Sequence, residues 1–398
     1  MTPKRVDDDA YVAALSALPG MGPANLAAIL LRHPPRVAWR AVQSGTLERP
    51  TGRAEAPGLG LDTGGRVGSR PAQSWRTVAA RVDPPEWWRP MVARGIHVTW
   101  RGQPDFPEAL MSDPSPPGAL FWRGRLEALR APCVAVVGTR NATSCGTATA
   151  YELGRDLTAA GVCVVSGLAL GIDAAVHRGA VDAAKAGAPA APAAVVASGV
   201  DVVYPRRNAR LWEEVAACGT VVSETVPGRP AQAWRFPSRN RIIAGLVRLV
   251  VVVESHSRGG SLITVEAALE RGVEVRAVPG AVRSAASAGT NQLLYDGAGP
   301  VRNADDVLDS LGIFATTKYA TTEDDRLPGQ PKSRPGSVRL QLSSLGRAVL
   351  DSMGWYPVTP NQVVLTSGVS PADALEALDE LVDRGVVVES AGFYTRLR

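Results

Sequence analysis

Between residues 131 and 310, short and continuously apolar runs alternate with longer segments whose apolar positions recur every three or four residues. The runs fall at 133–137, 162–165, 193–197, 220–222, 249–253 and 273–278, and the helix-period segments at 146–160, 172–186, 208–217, 240–247 and 261–271. A strand with no polar alternation is buried on both faces. The pattern therefore predicts an α/β fold, a doubly wound, Rossmann-like parallel sheet with helices on both sides. Ligands of such sheets bind beyond the carboxyl ends of the strands. Those ends read Gly138-Thr139-Arg140, Ser166-Gly167-Leu168, Ser198-Gly199, Ser223-Glu224-Thr225, Glu254-Ser255 and Pro279-Gly280. Small and hydroxylated residues gather there, which predicts backbone N–H groups open to an anion or a phosphate.

The flanks follow other periods. Residues 15–29 have the form of a helix-hairpin-helix within a helical N-terminal domain (1–104), with Gly20 and Gly22 bracketing Met21 in a tight turn. Such hairpins offer N–H groups to a phosphate without reading sequence, so Gly20 and Gly22 are candidates for a secondary DNA contact. A purely structural helical hairpin is the alternative. Residues 45–74 read as a Gly/Pro/Arg-rich insertion, and 315–337, polar with three prolines, as a linker between a core domain (105–314) and a C-terminal domain (338–398). That last domain reads as a winged helix, with helices at 345–353, 360–366 and 371–384 and a wing at 386–396. Leu375, Leu378 and Val382 are its expected core stripe. Its third helix carries Asp373, Glu376, Asp379, Glu380 and Asp383 against Arg384, a surface that repels phosphate and suits a protein partner.

Composition narrows the partners. The 398 residues carry a net charge of +5, and the excess is N-terminal: 17 basic against 12 acidic groups in residues 1–130, 17 against 16 in 131–310. An anionic partner is permitted but not required. Cys133, Cys145, Cys163 and Cys218 stand singly, so no zinc-type cluster and no metal is expected. The N-terminus lacks a signal peptide's apolar core, and the uncharged stretch 186–200 is too short to span a bilayer. The expected location is cytoplasmic, with no membrane partner.

The turns carry the chemistry. Residues 137–146 lack the dinucleotide-binding glycine pattern, the second strand ends in Ser166 rather than a ribose-binding carboxylate, and no Walker lysine occurs, so no cofactor is expected. Arg140 instead stands where a guanidinium can fork onto phosphate oxygens; capping a helix or pairing with Asp173 is the alternative. Arg239, Asn240 and Arg241 fall at an expected helix start, where side chains and free N–H groups converge on an anion. Gly260 and Ser261, within Arg258-Gly-Gly-Ser-Leu-Ile-Thr264, enter another helix, and Arg206 and Arg207 follow Tyr204-Pro205. Four such turns on one sheet edge suit a groove that follows a phosphate backbone, with Tyr204, Trp234 and Phe236 available for base stacking. No Gly-x-Ser-x-Gly elbow or His-Glu-x-x-His occurs, and no catalytic residue is expected. Asp173 and His177, four apart, read as a helix-surface hydrogen bond. Glu224 and Glu254 fit either a metal or base role or ion pairs with Arg239 or Arg241.

These motifs, with Ala277-Val-Pro-Gly280 and Gly289-Thr-Asn-Gln-Leu-Leu-Tyr-Asp-Gly-Ala298, resemble the bacterial DNA-processing protein A family (DprA, also called Smf) over residues 105–310. The resemblance implies a non-enzymatic protein that binds single-stranded DNA, usually as a homodimer, and helps load the RecA recombinase in natural transformation. It places Arg140, Arg239 and Arg241, with Ser166, Gly167, Arg206 and Arg207, in the DNA pocket; Gly138, Asn240, Gly260 and Ser261 complete the candidate set. Leu170 stands where the family often has a basic residue, and Val273 where it often has an arginine. The alternative is a nucleotide-processing enzyme of the Rossmann-like phosphoribohydrolase type. That group shows Pro-Gly-Gly-x-Gly-Thr-x-x-Glu, whereas Pro279-Gly280-Ala281-Val282 stands here.

Overall fold

Each of the six apolar runs forms a strand, and each helix-period segment a helix. The computed structural model describes residues 3–47, 70–313, 342–353, 358–390 and 392–396. Its helices are α1 (Pro3–Ser16), α2 (Pro23–Arg32), α3 (Pro35–Ser44), α4 (Arg70–Ala79), α5 (Pro84–Ala93), α6 (Ser144–Ala159), α7 (Ile172–Lys185), α8 (Ala209–Cys218), α9 (Arg235–Leu246), α10 (Ser261–Leu269), α11 (Ala288–Tyr295), α12 (Ala304–Leu311), α13 (Ser344–Ser352), α14 (Pro360–Ser367) and α15 (Pro371–Asp383). Its strands are β1 (Ile96–Thr99), β2 (Leu120–Gly124), β3 (Cys133–Val137), β4 (Cys163–Ser166), β5 (Ala193–Val195), β6 (Thr220–Ser223), β7 (Leu249–Val252), β8 (Glu274–Ala277), β9 (Gly299–Pro300), β10 (Val387–Ser390) and β11 (Phe393–Arg396).

The main sheet runs β1-β2-β6-β5-β4-β3-β7-β8-β9. From β6 to β9 every pairing is parallel, so the chain starts at β3, winds outward through β4, β5 and β6, then returns to the other side of β3 with β7. The carboxyl ends of β3, β4 and β7 therefore flank a topological switch point, the place where such sheets hold ligands. Alternation along β3 divides the core: Cys133, Ala135 and Val137 pack with Ile242, Ile243 and Leu246 of α9, while Val134 and Val136 pack with Leu153 and Leu157 of α6. Each such fully buried aliphatic side chain contributes about 1.5–3 kcal/mol.

Two further strands, outside the six runs, join the sheet at one edge. β1 pairs antiparallel with β2, and β2 antiparallel with β6. The expected boundary at residue 104 thus falls inside the sheet, because β1 belongs to it. Neither strand is a pure apolar run: His97 stacks on Trp122 with centroids 4.4 Å apart, and Arg123 pairs with Glu213. Helices α1–α5 bury Leu15, Trp39 and Trp88 in one core with Phe121 of β2 and Trp212 of α8. The turn between α1 and α2 holds Gly20 at φ +70, in the left-handed region that favours glycine. Residues 48–69 of the expected insertion and the whole 315–337 linker lie outside the described residues. Among the described residues no helix is long and apolar enough to cross a membrane.

The chain divides into two compact units, Met1–Lys318 and Tyr319–Arg398. In the second, α13, α14 and α15 enclose Val349, Leu350, Val363, Leu378 and Leu381, and β10 pairs antiparallel with β11. The buried face of α15 is Ala374, Ala377, Leu378 and Leu381, so Leu375, expected in the core, is 47% exposed.

Candidate functional site

A cleft of about 730 Å³ opens at the switch point, lined from the ends of β3, β4 and β7 and from α9 and α10. Its first wall is the turn after β3. Gly138 is required there, since a Cβ would lie 2.6 Å from Ile172 Cγ1 and 2.8 Å from the Glu254 carbonyl. Thr139 N donates to that carbonyl at 2.8 Å. Glu254 also accepts from Thr143 N at 2.9 Å and from the Thr143 hydroxyl, while Thr143 caps α6 by accepting from Gly146 N. Glu254 is therefore a strut of the first turn rather than a base or an arginine's partner. The turn presents Arg140 to solvent, its guanidinium 5.1 Å from the Phe236 ring centroid. Tyr204 stands 5.7 Å from the same ring, 47% exposed, at a cis Tyr204–Pro205 bond. Opposite, Arg258, Gly260 and Ser261 line the entry to α10. Arg258 is exposed, and neither it nor Arg140 has a carboxylate partner among the described residues.

The floor is a buried polar cluster. Arg239 Nη1 donates to the Gly167 carbonyl at 2.8 Å and to the Val195 carbonyl, and its Nε donates to Asn240 Oδ1 at 3.1 Å. Burial pushes its guanidinium down to about 10; Asp173 opposes that shift and Arg140 adds to it, and the group stays charged at neutral pH. Asp173 Oδ2 accepts from Gly167 N at 3.2 Å and Ala169 N at 3.4 Å. Burial raises its carboxyl above the usual range, against Arg239 and these N–H groups. Asn208 Nδ2 donates to the carbonyls of Leu168 (2.9 Å) and Ala169 (3.1 Å), holding Leu168 at φ +52.

All of these residues lie within one region of detectable kinship. Residues 97–312 match the family model described as DNA recombination-mediator protein A. Protein Smf of Escherichia coli K12 is 34% identical over 295 residues, 74% of this chain and 75% of that protein. Protein Smf of Synechocystis is 30% identical over 315 residues, 73% and 77% of the two chains. The crystal structure of DNA processing protein A (DprA) from Streptococcus pneumoniae superposes with a TM-score of 0.53 at 34% identity, over 61% of this chain and 83% of that one. The chain belongs to the DNA recombination-mediator protein A family. The matched span holds every residue lining the cleft, and excludes α1–α5 and the C-terminal unit.

Of the residues expected in the site, Gly138, Arg140, Arg239, Asn240, Gly260 and Ser261 line the cleft, and Gly167 lines a small recess beside it with Arg140 and Tyr204. Ser166 does not: it is fully buried, its hydroxyl donating to the Val136 carbonyl at 2.7 Å. Arg241 faces away, its Nη2 2.6 Å from Glu224 Oε2 and its Nη1 bonded to the Ser115 carbonyl. The reason is helix phase. α9 begins at Arg235, not at Asn240, so Arg239 and Arg241 sit inside a helix about 200° apart around its axis. For the same reason the free N–H groups of α9 lie a turn away from both. Arg206 and Arg207 are exposed in a 3₁₀ turn next to Tyr204, outside the cleft's lining. The Asp173–His177 surface bond is absent too: both residues are buried, and His177 Nε2 lies 3.3 Å from the Ala193 carbonyl. Arg258 and His256, which line the cleft, were legible only as the residues preceding a glycine pair. Gly20 and Gly22 are not among the lining residues.

Proposed function

We propose that the cleft binds a single DNA strand without reading its sequence, and that the protein acts as a recombination mediator that protects the strand and helps load the RecA recombinase. The observation that carries this reading is the pair of exposed guanidiniums, Arg140 and Arg258, on one cleft with the rings of Tyr204 and Phe236. Phosphates meet the cations and base faces meet the rings, an arrangement tolerant of sequence because every base has a π-face. A non-enzymatic role is supported by the engagement of both strand-end carboxylates: Glu224 is committed to Arg241 and Glu254 to Thr143. The protein is proposed to work in the cytoplasm as a homodimer, for which the exposed Leu269 and Tyr295 offer apolar surface. The second unit, with its acidic α15, is proposed to be a winged helix that meets protein rather than DNA.

The test is a gel-shift titration over a salt series. With two to four phosphates neutralised, log affinity for a single strand should fall against log salt with a slope of about −1.5 to −3. Stronger binding to duplex at equal salt would overturn the reading. Incubation with nucleoside monophosphates should leave them intact; base release abolished by Glu224→Gln would instead favour the phosphoribohydrolase alternative.

A further inference from the structure

The turn between β4 and α7 looks, from its small residues, like an open phosphate seat, yet two of its N–H groups are already taken. Gly167 N and Ala169 N both point at Asp173 Oδ2, and Asp173 stands in the first turn of α7, only 6% exposed. The charged Arg239 bonds the carbonyl of Gly167, the residue whose N–H Asp173 accepts. Turn N–H groups, a helix N-terminus and a buried cation are what a nucleotide phosphate meets in sheets of this topology. Here a carboxylate of the chain itself fills that place. Asn208 keeps the turn in shape from the far side through the Leu168 and Ala169 carbonyls, so the seat does not depend on a ligand to form.

We propose that Asp173 is a built-in anion that closes the second turn to free phosphate, so that the cleft selects a polyanionic strand over a mononucleotide. The inference rests on reading the cleft as the single-strand site. A lone phosphate shut out of the enclosed seat meets only the exposed Arg140 and Arg258, and exposed ion pairs in water are weak. A strand adds several such contacts with ring stacking, and retains useful affinity where a mononucleotide does not. Asp173 is in this sense a specificity-determining residue that acts by occupying a position, not by touching the strand's phosphates.

The experiment uses the full-length protein as wild type, Asp173→Ala, Asp173→Asn and Arg140→Ala, with acetate, inorganic phosphate and dTMP as probes at constant ionic strength. Asp173→Ala leaves Arg239 without its counter-charge and the turn N–H groups without their acceptor. Its thermal midpoint should drop and recover saturably with acetate or phosphate but not chloride, while the wild-type midpoint ignores all three. dTMP should displace a labelled single strand from Asp173→Ala at concentrations at least about tenfold lower than from the wild type, the scale of one charge-assisted hydrogen bond. Asp173→Asn, whose amide fills the seat, should show neither response. A wild type that answers acetate or dTMP as strongly as Asp173→Ala overturns the proposal. So does an Asp173→Ala protein that folds and answers no anion. If that variant does not fold in chloride, folding in acetate or phosphate supports the proposal and failure in all three overturns it. Arg140→Ala keeps the two readings apart: if it binds the strand as well as the wild type, the cleft is not the DNA site, while the midpoint response of Asp173→Ala is still read without DNA.

Discussion

Arg239 and Arg241 stand two positions apart on α9 and do different work, which the sequence motif joining them does not reveal. Charge and spacing made both candidates for phosphate; the direction of each side chain depends on where α9 begins and on a carboxylate, Glu224, that arrives from β6. Breaking a mostly buried pair leaves an uncompensated charge, so Arg241→Ala should cost about 3 kcal/mol in urea unfolding while the affinity of the folded protein for a single strand is kept. Arg140→Ala should do the reverse. Its guanidinium is exposed, and losing one phosphate contact of that kind, worth up to about 1 kcal/mol, should weaken binding about threefold to fivefold with an unchanged thermal midpoint. His177 offers a pH test. Burial lowers its imidazole from 6.5 to about 4, so the folded protein holds it neutral while the unfolded chain protonates it below 6.5. The stability it supports is complete above pH 6.5 and is lost as pH falls toward 4, by up to about 3 kcal/mol. Asp173 and Glu224, both raised by burial, act in the opposite sense at the acid end. Comparing urea midpoints of the wild type and His177→Gln at pH 7 and pH 4.5 isolates the histidine: the variant should lose less on acidification.

At the scale of elements, continuous apolar runs were a sufficient signal for β3 to β8, because a strand covered on both faces has no polar position to confuse it. β1 and β2 were not legible in that way: His97, Trp122 and Arg123 make them look like connecting chain until β6 is seen beside them. α9 starts at Arg235, before the expected start at Asn240, and Pro237 lies in its first turn, where the missing N–H has no helical acceptor to lose. The second turn was misread differently. Of its small residues Ser166 is buried in the sheet and Gly167 lines the recess beside the cleft, and the carboxylate that occupies the turn's N–H groups, Asp173, is six residues on from Gly167. Helices α6 and α7, which begin at the two site turns, meet through glycine: a Cβ on Gly154 would run into the Val176 carbonyl, and one on Gly179 would lie 2.8 Å from Arg155 N. Gly179→Ala should therefore cost about 1–3 kcal/mol, seen as a lower urea midpoint at unchanged slope.

Each of the two units has a core of its own, and the residues that line the cleft belong to the first. A protein lacking residues 337–398 should bind a labelled single strand within about twofold of the intact chain, since the acidic exposed face of α15 offers phosphate no favourable contact. A much larger loss in that titration would place the DNA site in the second unit. The order of strands has a consequence for how the chain is made. Phe121 in β2 takes its place against Ser223 in β6, roughly 100 residues later. At about 5–20 residues per second, a ribosome needs roughly 5–20 seconds to supply that partner. Through that interval Leu120 and Phe121, fully buried in the finished sheet, and the Trp88 ring that leans on Phe121 have no β6 edge to close over. β2 thus leaves the ribosome well before the strand it pairs with, and its apolar side chains wait for that edge until β6 has emerged.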